Sequence, residues 1–173
     1  MIKHVVNVLD ASDLFRKVVG LSKGFAGFGN ALTLDLVEQP RGLSLSSVLN
    51  WYLREEADIN CSVFIVPSDL PLLGPRDLKG FLCKVLKPDI DALLILSQDG
   101  KGTNGLFLRN PRSISIAFGQ KSSFELNKRA LVKAELTYDY WHSLGFALDV
   151  DTIEDLHFAL YRGLSFRPFG KTV

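Results

Sequence analysis

Two short, unbroken apolar runs constrain this chain more than any other feature. Val63-Phe64-Ile65-Val66, between Ser62 and Pro67, and Ala92-Leu93-Leu94-Ile95-Leu96 contain no polar residue. A strand that is apolar on both faces has to be covered on both, which calls for helices on each side of a sheet. Each run passes directly into a polar loop, Ser68-Asp69-Leu70-Pro71 after the first and Ser97-Gln98-Asp99-Gly100 after the second. The expected class is therefore α/β, a mostly parallel sheet with crossover helices. At 173 residues, with 47% hydrophobic and 23% charged, the chain suits one globular domain spanning 1–173.

The remaining pattern alternates strand-like and helix-like segments. Ile2 to Leu9 reads as a strand, followed by a helix capped by Asp10 or Ser12, with Leu14, Phe15, Val18 and Val19 on one face and Gly20 as its stop. Leu21 to Asn30 reads as a loop and Ala31 to Val37 as a small strand. Gly42-Leu43-Ser44 opens a helix with the stripe Leu45, Val48, Leu49, Tyr52 and Leu53. Ser62 to Pro67 is expected as a fully buried central strand. Pro75 begins a helix that buries Leu78, Phe81, Leu82, Val85 and Leu86 and closes at Lys87-Pro88. Short strands are expected at Leu106 to Leu108 and Ile114 to Phe118, a helix over Ser123 to Lys133, and a strand over Glu135 to Tyr140. Thr152 and Asp155 form a capping-box start for a last helix, with Leu156, Ala159 and Leu160 inward.

The formal net charge is +1 with no charged block, so bulk electrostatics gives no reason to expect nucleic acid or an anionic membrane as partner. No apolar run approaches the roughly 18 residues of a membrane span, and the start is too short and interrupted for a signal peptide. A cytoplasmic location follows as the expectation. Cys61 and Cys83 lack C-x-x-C spacing and read as partly buried thiols. His4, His142 and His157 have no metal-site spacing and no candidate nucleophile beside them, so no chemistry is placed on them.

Ligands of open α/β sheets bind beyond the carboxyl ends of the strands, which singles out three loops. Asp69 follows a buried run directly; taken alone, an Asp before Leu-Pro is more often a turn or cap residue. Asp149 and Asp151 stand two apart in an extended stretch, so their carboxylates share a side. Such a pair repels unless a cation or donors lie between, and Mg²⁺ would supply the cation; helix capping is the competing use of Asp151. Lys101-Gly102-Thr103-Asn104-Gly105 reads as an anion site or a plain surface turn, and it does not match the P-loop. Phe118-Gly119-Gln120-Lys121-Ser122-Ser123, ahead of a helix, could hold a phosphate on its amides or simply supply an N-cap.

In order, Ile65-Val66-Pro67-Ser68-Asp69-Leu70-Pro71-Leu72-Leu73, Gly102-Thr103-Asn104, Phe118-Gly119-x-x-Ser122 and Leu148-Asp149-Val150-Asp151-Thr152-x-x-Asp155-Leu156 resemble the 2-phospho-L-lactate guanylyltransferase family, which includes phosphoenolpyruvate guanylyltransferases. The resemblance runs from about Val5 to Leu160 and is strong from Phe64 onward. It implies a Rossmann-like nucleotidyltransferase sheet with flanking helices. It also implies GTP and a 2-phospho acid as partners, release of pyrophosphate, and a place in deazaflavin coenzyme biosynthesis. By the same resemblance Asp69, Asp149 and Asp151 would hold Mg²⁺, and Thr103, Asn104, Gly119 and Ser122 would hold the phospho acid. A homodimer is left open.

The chain also departs from the family's pattern. Met1 to Leu9 resembles the family's second strand, so the first strand and its basic nucleotide loop are expected to be missing. The family's Gly-Leu-Asn-x-Ala-Leu segment stands here as Gly42-Leu43-Ser44-Leu45-Ser46-Ser47, and Leu126 and Asn127 occupy the place of a basic or His residue. These departures keep two alternatives in view: a phospho-acid-binding relative without catalysis, and a nucleotidyltransferase with another acceptor.

Overall fold

The computed structural model describes residues 1–22, 34–150 and 152–161. Among the described residues, six helices and six strands follow one another as α1 (Ile2–Asp10), β1 (Val19–Ser22), β2 (Asp35–Glu38), α2 (Leu45–Glu55), β3 (Val63–Ile65), α3 (Pro75–Val85), β4 (Ala92–Leu96), β5 (Thr103–Leu108), α4 (Ser123–Lys133), β6 (Tyr138–Trp141), α5 (Leu144–Ala147) and α6 (Ile153–Tyr161). β1 and β2 pair in parallel, and the other four strands form a sheet in the order β3-β5-β4-β6. β5 runs antiparallel to both neighbours while β4 and β6 are parallel, so three of the four strands point the same way.

Strand alternation sorts the core into two layers. Phe64, Leu93, Ile95 and Phe107 face a cluster with Val5 and Leu9 of α1, Leu78, Phe81 and Val85 of α3, and Phe146 of α5. Their sequence neighbours Val63, Ile65, Ala92, Leu94, Leu106 and Leu108 face the other cluster, with Leu53 of α2 and Leu131 of α4. Helices thus cover both faces, the three-layer arrangement that two-sided apolar strands require. Aromatic rings tie the first layer together: Phe64 stacks on Phe81 at 4.1 Å between centroids and meets Phe146 edge-on at 5.7 Å.

Local signals set the helix starts. Ser44 Oγ accepts the Ser47 N–H at 3.2 Å and so caps α2. Pro75 opens α3, where Asp77 accepts the Gly74 N–H at 3.0 Å and also the Ser143 hydroxyl. Thr152 and Asp155 make the expected reciprocal cap, with N–H to side-chain distances of 2.9 and 3.2 Å.

Several expectations are corrected. Ile2 to Leu9 is helix α1 rather than a strand, because Ile2, Val5, Val6 and Leu9 fall at helical spacing and present one apolar face. The helix expected around Leu14 to Val19 is absent: Asp13 has a positive φ of 52°, the chain turns, and β1 begins at Val19. The expected small strand over Ala31–Val37 corresponds to β2 at Asp35–Glu38, residues 31–33 lying outside the described ones. Val63–Ile65 lies at one end of the four-stranded sheet and is half-buried rather than central. Glu135 to Tyr140 begins as a turn, the strand starting only at Tyr138. Leu86, Leu160 and Cys83 are exposed.

Ile114 to Phe118 forms no strand, yet its alternation is real, since Ile116 and Phe118 are buried. Its backbone is paired by side chains instead of a neighbouring strand. Asn50 accepts the Ile116 N–H and donates to the Ile116 carbonyl, at 2.8 and 2.7 Å. Ser46, one turn earlier on α2, holds the N–H and carbonyl of Phe118, both at 2.9 Å. Asn127 of α4 holds those of Ala117 at 2.8 and 2.9 Å. Two helices therefore clamp this segment from its two sides, and all six backbone groups are satisfied.

Candidate active site

The carboxyl ends of β3, β4 and β6 and the start of β5 lie at one edge of the sheet, and the loops there enclose a cleft of about 790 Å³. Asp69, Thr103, Asn104, Gly119 and Asp149 all line it. Ser122 sits at the N-cap of α4 and is exposed; its neighbour Ser123 lines the cleft in its place. Asp151 lies outside the described residues.

Asn104 organises this edge more than it faces solvent. It is 4% exposed, and its Nδ2 donates to the carbonyls of Phe146 and Ala147 at 3.1 and 2.9 Å and to Asp149 Oδ1 at 3.2 Å. The Gln98 N–H bonds the Ala147 carbonyl at 2.9 Å, and the Val150 N–H reaches the Asp69 carbonyl at 3.3 Å. The loops carrying Asp69, Gln98 and Asp149 are thereby linked through backbone contacts that position both carboxylates. Asp69 Oδ1 is a buried atom.

The loop from Ser97 to Gly102 is self-contained rather than an open amide cradle. Asp99 accepts from Ser97 Oγ at 2.6 Å and from the Lys101 N–H at 2.9 Å, and Gly102 donates to Ser97 Oγ at 2.8 Å. The Ser97 hydroxyl, then the Lys101 and Gly102 amides, hold the Asp99 carboxyl below its ordinary range. Gly102 is required by close approach, since a Cβ there would lie 2.7 Å from Ser97 Oγ. The Thr103 N–H is likewise taken, by Ser123 Oγ at 2.9 Å. What this loop offers a ligand is the Thr103 hydroxyl, which accepts from Asn127 Nδ2 at 3.2 Å and keeps its own hydrogen to donate.

Residues Gly119 to Ser122 differ. Among the described residues their amides donate to no protein acceptor, and they precede the amino terminus of α4. Gly119 adopts φ +68°, a left-handed conformation that suits glycine. Lys121 adds a cation to the same wall. Free amides, a helix start and a lysine make this segment the better anion seat.

Sequence reasoning offered Ser123 only within a segment that could hold a phosphate or cap a helix, and gave Asn127 no role in the site. Ser123, Asn127 and Leu131 recur every fourth residue on the buried face of α4, at 2%, 0% and 0% exposure. Two polar residues on a helix face that otherwise meets the core are a signal legible in the sequence. Leu45, Pro67 and Asp155 also line the cleft unexpectedly. Asp69 and Asp149 offer only oxygen donors, the set that Mg²⁺ favours; among the described residues no group of three or more metal-binding side chains occurs.

No helix among the described residues is long and apolar enough to cross a membrane. The sequence matches the family model described as "Guanylyl transferase CofC like" over residues 1–165. It is 30% identical over 154 residues to the 2-phospho-L-lactate guanylyltransferase of Methanothermobacter thermautotrophicus, covering 89% of this chain but 63% of that protein. It is 28% identical over 178 residues to the phosphoenolpyruvate guanylyltransferase of Rubrobacter xylanophilus, covering 97% of this chain and 82% of that one. The fold is similar to that of a hypothetical transferase from Thermus thermophilus, with a TM-score of 0.53 and 18% identity over 90% of this chain and 85% of the other. The ordered motifs around the cleft, the three-layer fold and the match over nearly the whole chain lead to one conclusion: this chain belongs to the CofC-like guanylyltransferase family.

Proposed function

We propose that the protein joins the phosphate of a 2-phospho acid, 2-phospho-L-lactate or phosphoenolpyruvate, to the α-phosphorus of GTP and releases pyrophosphate, in the cytoplasm and toward a deazaflavin coenzyme. The observation that carries this reading is the make-up of one cleft, where Asp69 and Asp149 stand with Thr103, Lys121 and the amides of Gly119 to Ser122.

The chemistry suits those residues. A phosphate oxygen of the acceptor is already an anion, so no base is needed to activate it; among the described residues that line the cleft none is histidine. The new P–O bond forms at the α-phosphorus as the bond to the bridging oxygen breaks, and pyrophosphate leaves with the electron pair. Both reactants are polyanions, so alignment and charge neutralisation dominate the barrier. Asp69 and Asp149, with Asp151 as the third expected carboxylate, would hold Mg²⁺, which when bound neutralises phosphate charge. Lys121 and the amides of Gly119 to Ser122 seat the acceptor's phosphate, and the Thr103 hydroxyl donates to an acceptor oxygen. Asn104 keeps Asp149 in place.

The test is Asp69→Asn and Asp149→Asn, assayed with GTP, Mg²⁺ and either phospho acid. Each variant should lose turnover while its circular dichroism and melting stay those of a folded protein. Turnover at the parental rate in either variant would contradict the role given to that carboxylate.

A further inference from the structure

A second cavity, of about 250 Å³, lies along the carboxyl-terminal half of α2, lined there by Asn50, Leu53 and Arg54 and on the other side by Arg112, Ser113 and Ile114 of the segment after β5. Among the described residues none that lines it is acidic. Arg54 and Arg112 form no ion pair among the described residues. The Ser113 hydroxyl oxygen is buried and has no hydrogen-bond partner. The Asn50 amide is already spent on the carbonyls of Ser46 and Ile116, at 2.7 Å each, so it anchors the wall and is not itself a ligand group.

We propose that this cavity binds the phosphate group of a small anion, at a site separate from the cleft. A buried hydroxyl without a partner calls for an explanation, and two arginines line the same cavity, a side chain whose planar fork matches phosphate oxygens. Arg54 stands in the last turn of α2, where a cation also offsets the helix dipole. That accounts for one arginine and leaves Arg112 and Ser113 unexplained. Arg54 and Arg112 bring two positive charges to the cavity lining, while Glu55 and Glu56 at the end of α2 stand outside that lining. The volume lies below the roughly 300 Å³ at which drug-sized pockets begin, which suits orthophosphate or a short phosphomonoester better than a whole nucleotide.

The experiment is an amide-resolved NMR titration of the ¹⁵N-labelled protein with inorganic phosphate, repeated with glycerol phosphate, and with chloride at matched ionic strength. Phosphate should produce saturable shifts at Arg112 to Ser115. Arg54→Ala and Arg112→Ala should each weaken them about tenfold, the scale of one charge-assisted hydrogen bond, and Ser113→Ala should weaken them without unfolding the protein. Both arginines are exposed, so their replacement leaves the core intact. Tighter saturation by glycerol phosphate would assign the site to a phosphomonoester, and tighter saturation by phosphate to the free ion. No saturable shift there, an equal response to chloride, or shifts indifferent to both arginine variants would overturn the proposal.

Discussion

Asn104 Nδ2 donates to Asp149 Oδ1 at 3.2 Å while the same nitrogen serves the carbonyls of Phe146 and Ala147. One buried amide thus fastens the start of β5 to the loop that carries a candidate metal ligand. Asn104→Ala removes the donor from two carbonyls and a carboxylate, and should lower stability by about 1–3 kcal/mol in urea unfolding. Asn104→Asp should cost more, because it sets a second carboxylate against Asp149. An alanine variant as stable as the parent would show that Asn104 does not hold this edge together.

Asn127 closes the other side of the cleft. It is 0% exposed and satisfies both backbone groups of Ala117 as well as Thr103 Oγ1. Asn127→Leu, similar in volume, should destabilise by about 1–3 kcal/mol, since it leaves two part-buried backbone groups unpaired. Leu126→Ala, one residue away and 38% exposed, is the control expected to fall within about 0.5 kcal/mol of the parent. Equal losses in the two variants would contradict the clamp.

Gly80 shows how opposing effects decide a sign. Alanine in a helix interior is worth about 0.5–1 kcal/mol over glycine. Here, however, a Cβ would lie 2.7 Å from Trp141 Cζ2 and 2.8 Å from Cη2, on a partly buried ring packed against the core. Overpacking of that kind costs about 1–3 kcal/mol, so Gly80→Ala should be net destabilising in chemical unfolding. A stabilised variant would mean that the α3–β6 packing yields easily.

How much of this was legible in the sequence varies with where the information resides. β4 and helices α2, α3 and α4 declared themselves through local pattern and caps, because burial on one face leaves a periodic trace. The start misled because Val5, Val6 and Val8 suggest a strand by composition, while the burial of Val5, Val6 and Leu9 follows helical spacing. Ile114 to Phe118 carried a true alternation, but its partners are Asn50, Ser46 and Asn127 on two helices, and no local pattern announces side chains that replace a strand. At the cleft, Asp69, Thr103, Asn104, Gly119 and Asp149 come together as their motif order suggested. Their supports could not be read the same way, since the pairing of Asn104 with Asp149 spans 45 residues.

Acid should loosen the protein through its carboxylates. Asp99, Asp91 and Asp139 are held below the ordinary range by, respectively, the Ser97 hydroxyl, the Thr137 side chain and the Lys84 ammonium. A depressed folded-state value means that their contribution is complete above the unfolded value of about 3.9 and is lost as the pH falls through the lower folded value. Urea midpoints measured from pH 6 to pH 2 should therefore decline mainly below about pH 4. Asp99→Asn should flatten part of that decline; an unchanged acid limb would show that the Ser97 to Gly102 loop contributes nothing to it.

The most direct test of the account is pyrophosphate release by the purified protein with GTP, Mg²⁺ and either 2-phospho-L-lactate or phosphoenolpyruvate. Release should need both substrates and disappear in Asp69→Asn. No release from the folded protein with either acceptor, or release that persists in Asp69→Asn, would contradict it.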